Sequence, residues 1–128
     1  MTRPDLGAIG EEEARRHFSK MGWPLLARNW RCPEGELDLV FKEGETIVFV
    51  EVRTRSGQDF GYPEETITAA KRRRLLRAGK AYLDSLDLFE TNCRFDLVAI
   101  ECTPAGLIRR FEHIEDVLDD EAQSHRPA

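Results

Sequence analysis

The chain has 128 residues, enough for one domain around one core, and carries a formal net charge of −5. At 41% hydrophobic and 34% charged residues it has the balance of a folded α/β or α+β protein, which excludes a disordered chain. No apolar run approaches the roughly 20 residues of a membrane-crossing helix.

Residues 5–21 read as a first helix. Leu6, Ile9, Ala14, Phe18 and Met21 recur near helical spacing, Asp5 is a capping residue, and Gly22 ends the run. His17 lies within the apolar stripe and is expected to be a packed histidine. The acids Glu11, Glu12 and Glu13 follow one another. Glu12 points away from the stripe, whereas Glu11 and Glu13 fall on its two borders, within reach of a sheet edge. On spacing, a solvated acidic helix start favoured by the helix dipole remains the simpler account of all three.

An extended segment over 25–31 is the first strand, and the turn Pro33-Glu34-Gly35 leads to a second over about 36–42. A tight turn at 42–45 makes a hairpin with a third strand over about 46–54. A loop over 56–62 precedes a second helix, expected to start at Pro63, with Glu64 and Glu65 at its positive end, and to run to about Ser85. Arg94–Ile100 is a fourth strand, and Leu107–Ile114 a weaker fifth. The expected architecture is α/β, one domain over residues 1–121 with a frayed tail over 122–128, in the order helix, three strands, helix, two strands.

The first residues contain no apolar segment of the secretory type. Cys32, Cys93 and Cys102 are odd in number, widely spaced and without a Cys-x-x-Cys pair. They read as reduced thiols in a cytoplasmic protein.

Chemistry concentrates in the hairpin. Gly35-Glu36-Leu37-Asp38-Leu39-Val40 and Val48-Phe49-Val50-Glu51-Val52-Arg53 place acids inside runs that otherwise read as buried strand. A buried charge without a partner costs several kcal/mol, on the order of what a whole domain has to spare. Neighbouring strands would bring Asp38 and Glu51 together with Arg53 beside them and Glu36 in reserve. Paired carboxylates with a nearby cation suit Mg²⁺ or Mn²⁺ in phosphodiester hydrolysis. A cross-strand Glu–Arg ion pair without any metal explains the same residues.

Charge is also unevenly spread. Between positions 53 and 80 there are eight basic residues against three acidic ones, while residues 115–121 hold five acids. Arg73, Arg74, Arg77 and Lys80 fall on the helix arc opposite the leucines, without acids between them. Lys71 and Arg72 fall within the apolar arc, so they either snorkel to water or approach the acidic site from its side. Such a face fits nucleic-acid phosphates, with Arg55, Lys71, Arg73, Arg77 and Lys80 as contacts; a solvated helix face is the usual explanation of the same run.

These residues, in this order, resemble the YraN-like family, small bacterial proteins of unassigned role. The matching stretches are Gly10-Glu11…Ala14, Gly22…Arg28-Asn29-Trp30-Arg31, Gly35–Val40, Val48–Arg55, Phe60-Gly61…Lys71 and Arg94–Val98. The family is similar to the restriction-endonuclease-like superfamily, which includes Holliday-junction resolvases. That resemblance implies an αβββαβ core with a mixed central sheet flanked by helices. It matches the superfamily's helix acid to Glu11, its hairpin aspartate to Asp38, and its Glu-x-Lys pair to Glu51 and Arg53. Arg53 stands where the superfamily has lysine; it keeps the charge but cannot act as a base. Lys71 and Lys42 are the lysines that another element could supply.

The resulting expectation is a metal-dependent nuclease, with Asp38, Glu51 and Glu11 toward Mg²⁺ or Mn²⁺ and Arg53 on the phosphate. DNA is the expected partner, with RNA and a homodimer left open, and no membrane. The alternative is a nucleic-acid-binding protein that keeps the nuclease fold without turnover.

Overall fold

The computed structural model describes residues 4–56, 67–88 and 90–118. Helix α1 spans Leu6–Lys20 and is followed by strands β1 (Leu25–Cys32), β2 (Gly35–Glu43) and β3 (Thr46–Ser56). Helix α2 (Ala69–Ser85) then leads to β4 (Cys93–Cys102) and β5 (Ile108–Ile114). The expected element order is the observed one. Asp5 caps α1 by accepting the Ala8 N–H at 3.0 Å. Gly22, at φ +84°, turns the chain out of the helix.

Helix α2 starts later than the sequence suggested. Thr68 is extended (φ −75°, ψ 164°) and its hydroxyl accepts the Lys71 N–H at 3.1 Å, so the first helical residue is Ala69, not Pro63. A threonine oxygen satisfies one of the donors left open at a helix start. Pro63, Glu64 and Glu65 lie outside the described residues, as does the tail beyond Leu118.

The five strands form one mixed sheet in the order β1-β2-β3-β4-β5. The β3–β4 pair is parallel, in unbroken register from Ile47↔Cys93 to Ser56↔Cys102; the other pairs are antiparallel. A parallel neighbour requires a crossover, and α2 supplies it. Val48 and Val50 pack with Ala14 and Phe18 of α1, whereas Ile47 and Phe49 pack with Leu75, Ala78 and Tyr82 of α2. The sheet is thus flanked by helices on both sides. Residues Ile47–Glu51 are consequently buried without a break, the mark of a strand covered on both faces.

The α1 layer lies close to β3 at Gly10, where an added Cβ would stand 1.9 Å from Thr54 Oγ1 and 3.1 Å from Thr54 Cβ. Gly10→Ala is therefore expected to destabilise by about 1–3 kcal/mol despite alanine's better helix propensity. Urea denaturation checks this, and Thr54→Ala in the same chain restores part of the loss. An unchanged midpoint for Gly10→Ala would show that the layer can relax.

Candidate active site

The regular β2–β3 ladder runs from Glu43↔Thr46 to Leu39↔Val50. Beyond it, a side chain takes over: Asp38 Oδ2 accepts the Val52 N–H at 2.9 Å. This bond holds the aspartate against β3, where Glu51 is 8% exposed. The two carboxyl groups meet in a hydrogen bond. Asp38 and Glu51, singled out as charges in buried runs, therefore converge.

Two carboxylates this close cannot both ionise readily. Burial, followed by the hydrogen bond and charge of Glu51, pushes Asp38 up to about 8, against the opposing Val52 N–H; Glu11 adds a smaller push. Burial would raise Glu51 as well, but the bond from Asp38 and the charges of Lys71 and Arg53 hold it below its ordinary range. Near neutral pH the pair shares one proton.

Lys71 supplies a countercharge, with Nζ 3.1 Å from Glu51 Oε2 and a side chain 32% exposed. The Thr68 cap fixes Lys71 in the first turn of α2. Of the two orientations open to Lys71 in the sequence, the structure has the one that approaches the acids. The ammonium lies in ion-pair range yet outside hydrogen-bond alignment, so the buried Glu51 Oε2 has no directed donor. Arg53 is half-buried and its charge reaches Glu51.

Glu11 stands apart from the pair. Its carboxyl is raised by burial, checked by a hydrogen bond from Asn29, and raised again by Glu36. Among the described residues no three His, Cys, Asp or Glu side chains gather closely enough to hold a metal ion. Glu36, the reserve ligand, instead pairs with Arg31 at 3.1 Å. Arg73, Arg77 and Lys80 are exposed on α2, and Arg55 is half-buried on β3. Asp84, one turn past that arc, pairs with Lys80 at 3.2 Å.

The residues present fit a hard dication. Mg²⁺ is held by one or two carboxylates, with water in its other positions. Asp38 and Glu51 provide two, one of whose oxygens is buried without a directed donor. An ion would take the place of their shared proton.

A second buried acid escaped the sequence reading. Asp96, fully buried on β4, accepts from Arg94 Nε (2.8 Å) and an Arg94 terminal nitrogen (2.9 Å). It also accepts the Asp116 N–H (3.0 Å) and bonds His113 Nε2 (2.7 Å). These partners hold its carboxyl below the ordinary range in spite of burial, which is the largest single influence on it. The criterion that exposed Asp38 and Glu51, an acid within a buried run, fits Phe95-Asp96-Leu97-Val98 equally well. His17 is packed as expected, 4.6 Å from Phe111 between ring centroids.

An αβββαβ core carrying a proton-sharing acid pair on its central hairpin defines the structural class. The family model described as uncharacterised protein family UPF0102 matches residues 10–100. The chain is 50% identical over 100 residues to a UPF0102 protein of Moorella thermoacetica, covering 78% of this chain and 83% of the relative. It is 46% identical over 112 residues to one of Beutenbergia cavernae and 42% identical over 113 residues to one of Pelotomaculum thermopropionicum. Each of those alignments covers 88% of this chain and 94% of the relative. The chain belongs to the UPF0102 family, the YraN-like proteins.

Proposed function

We propose that this chain is a divalent-metal-dependent nuclease acting on DNA, built on the restriction-endonuclease-like fold that its αβββαβ core resembles. The observation that carries this reading is the hydrogen-bonded Asp38–Glu51 pair on adjacent strands with Lys71 Nζ 3.1 Å from Glu51. A purely structural ion pair would need one acid for one cation. Here two acids are forced to share a proton, an arrangement that costs stability and is characteristic of functional sites.

Asp38 and Glu51 would hold Mg²⁺ or Mn²⁺, which when bound lowers the pKa of a water and neutralises charge on the phosphate. Val52 fixes the Asp38 carboxylate, so the pair is organised before any substrate arrives. Lys71 and Arg53 bring positive charge to the place where phosphate charge grows in the transition state. Glu11 contributes negative charge from α1 and orients water. The presence of one compact ammonium and one guanidinium divides the work that a single lysine does in the resembling superfamily.

Incubation with supercoiled, linear and four-way-junction DNA in Mn²⁺ tests the proposal. Cleavage is expected, and Asp38→Ala and Glu51→Ala should each lower it by at least about 10²-fold, the scale of losing one preorganised group. Salt-sensitive binding that never cuts would assign the second reading, a nucleic-acid-binding protein that keeps the fold. Arg53, unable to act as a base, is what favours that reading.

A further inference from the structure

Lys71 faces in two directions. Besides pairing with Glu51, it lines a cleft of about 440 Å³. One wall is the β1–β2 turn region, with Arg31, Gly35 and Glu36; the other is the first half of α2, with Lys71, Arg74 and Leu75. Among the described residues three cations therefore face one acid. That acid, Glu36, is engaged by Arg31 in an exposed pair, 78% and 45% exposed. Exposed pairs are worth about 0–1 kcal/mol, so a phosphate can replace Glu36 on Arg31 with little loss. Arg74 is exposed and makes no ion pair among the described residues.

The geometry points to this cleft as the seat of a single DNA strand, held by its phosphates and leading one phosphodiester to the Asp38–Glu51 pair. The destination rests on the nuclease reading; the cleft does not. Its volume lies at the small-ligand end of binding sites, about 300–1,000 Å³, which suits nucleotide-sized units in file and not the body of a duplex. Among the described residues no aromatic side chain lines it, so these residues hold the strand by its backbone, independently of sequence. The anionic backbone is the feature that Arg31, Lys71 and Arg74 recognise, Arg by its planar fork and Lys as a point charge. Arg73, Arg77 and Lys80, the sequence's candidates on the same helix, do not line this cleft; Lys80 is occupied by Asp84.

Anisotropy of a fluorescein-labelled oligothymidylate, titrated with the full chain in EDTA over a range of NaCl, tests this. Wild-type binding should weaken linearly on a logarithmic salt plot. Arg74→Ala should flatten that slope by about 0.7, the value of one phosphate contact on a single strand. Arg74→Glu should weaken binding about tenfold or more, whereas Lys80→Glu, with the same change in net charge, should stay within about twofold. Arg74 is exposed, so an unchanged melting temperature certifies the fold of its variants. Equal losses for Arg74→Glu and Lys80→Glu, or no loss for Arg74→Glu, would overturn the cleft. So would displacement of the strand by free thymidylate at equal nucleotide concentration, which would make this a mononucleotide site, or a preference for duplex. EDTA separates the two proposals. Arg74-dependent binding without cleavage in Mn²⁺ removes the nuclease and keeps the cleft; cleavage indifferent to Arg74 does the reverse.

Discussion

Without added metal, the stability of the wild-type chain falls by about 1.4 kcal/mol more per pH unit than that of Asp38→Asn between roughly pH 5 and 8. The sign follows from proton counting. Asp38 is raised to about 8 in the folded chain, so the contribution of its protonated form is complete below the ordinary carboxylate range and is lost as pH rises toward 8. Glu51 is lowered, so its contribution is present above that range and is lost as pH falls through its depressed value. Between the two limits the folded pair keeps one proton that the unfolded chain has released, and each rise in pH favours unfolding. The groups that set this balance come from three elements: Glu51 and Arg53 on β3, Lys71 on α2 and Glu11 on α1. Groups common to both proteins cancel in the difference between wild type and Asp38→Asn, which is therefore the quantity to measure. Urea denaturation at a series of pH values gives it directly. Mn²⁺ should raise the wild-type melting temperature, more at pH 8 than at pH 6, and leave Asp38→Asn nearly unmoved, because binding must displace the shared proton. Parallel pH profiles for the two proteins would mean that the carboxyl groups do not share a proton.

Arg94→Ala is expected to cost about 3–5 kcal/mol, the penalty for stranding a buried charge. Asp96 is fully buried and takes two bonds from Arg94, the partner whose charge is permanent. Arg94 also bonds Glu43 at 3.0 Å and lies 5.7 Å from the Trp23 ring centroid, so packing is lost with the charge. The effect should spread to the end of β5. There the Asp116 N–H bonds Asp96 and the Val117 N–H bonds the Phe95 carbonyl at 2.8 Å, seating Leu118 in the core. Replacing both partners by apolar residues, Arg94→Met with Asp96→Leu, should recover much of the loss, since breaking a buried pair is worse than never having it. If Arg94→Ala unfolds at the wild-type urea midpoint, the network is not the structural tie described here.

Much of the frame is written in short-range pattern. The apolar spacing of α1, the Asp5 cap, the punctuation at Gly22 and Gly44 and the continuous apolar run of β3 are local features, and each appears in the fold where the residues imply it. Asp38 and Glu51 stood out because a charge within such a run is conspicuous, whatever it touches. The start of α2 was misread because Pro63 and two glutamates make a plausible helix beginning; the choice between that and Thr68 depends on where the chain must turn to lay Leu75, Ala78 and Tyr82 on the sheet.

Residue order thus dictated the succession of elements, the doubly covered central strand and the identity of the two acids. Which groups meet was settled by packing. The strand register brings Asp38 onto Glu51, the crossover lowers Lys71 onto that pair, and the turn of the first hairpin closes a cleft against Arg74. Burial then moves the proton, and β5 brings His113 to Asp96. Local periodicity encodes what a segment becomes, because its neighbours in sequence decide its backbone and its wet and dry sides. Proton affinity and ion pairing depend instead on distance and desolvation between segments far apart in the chain, and those exist once the layers have closed.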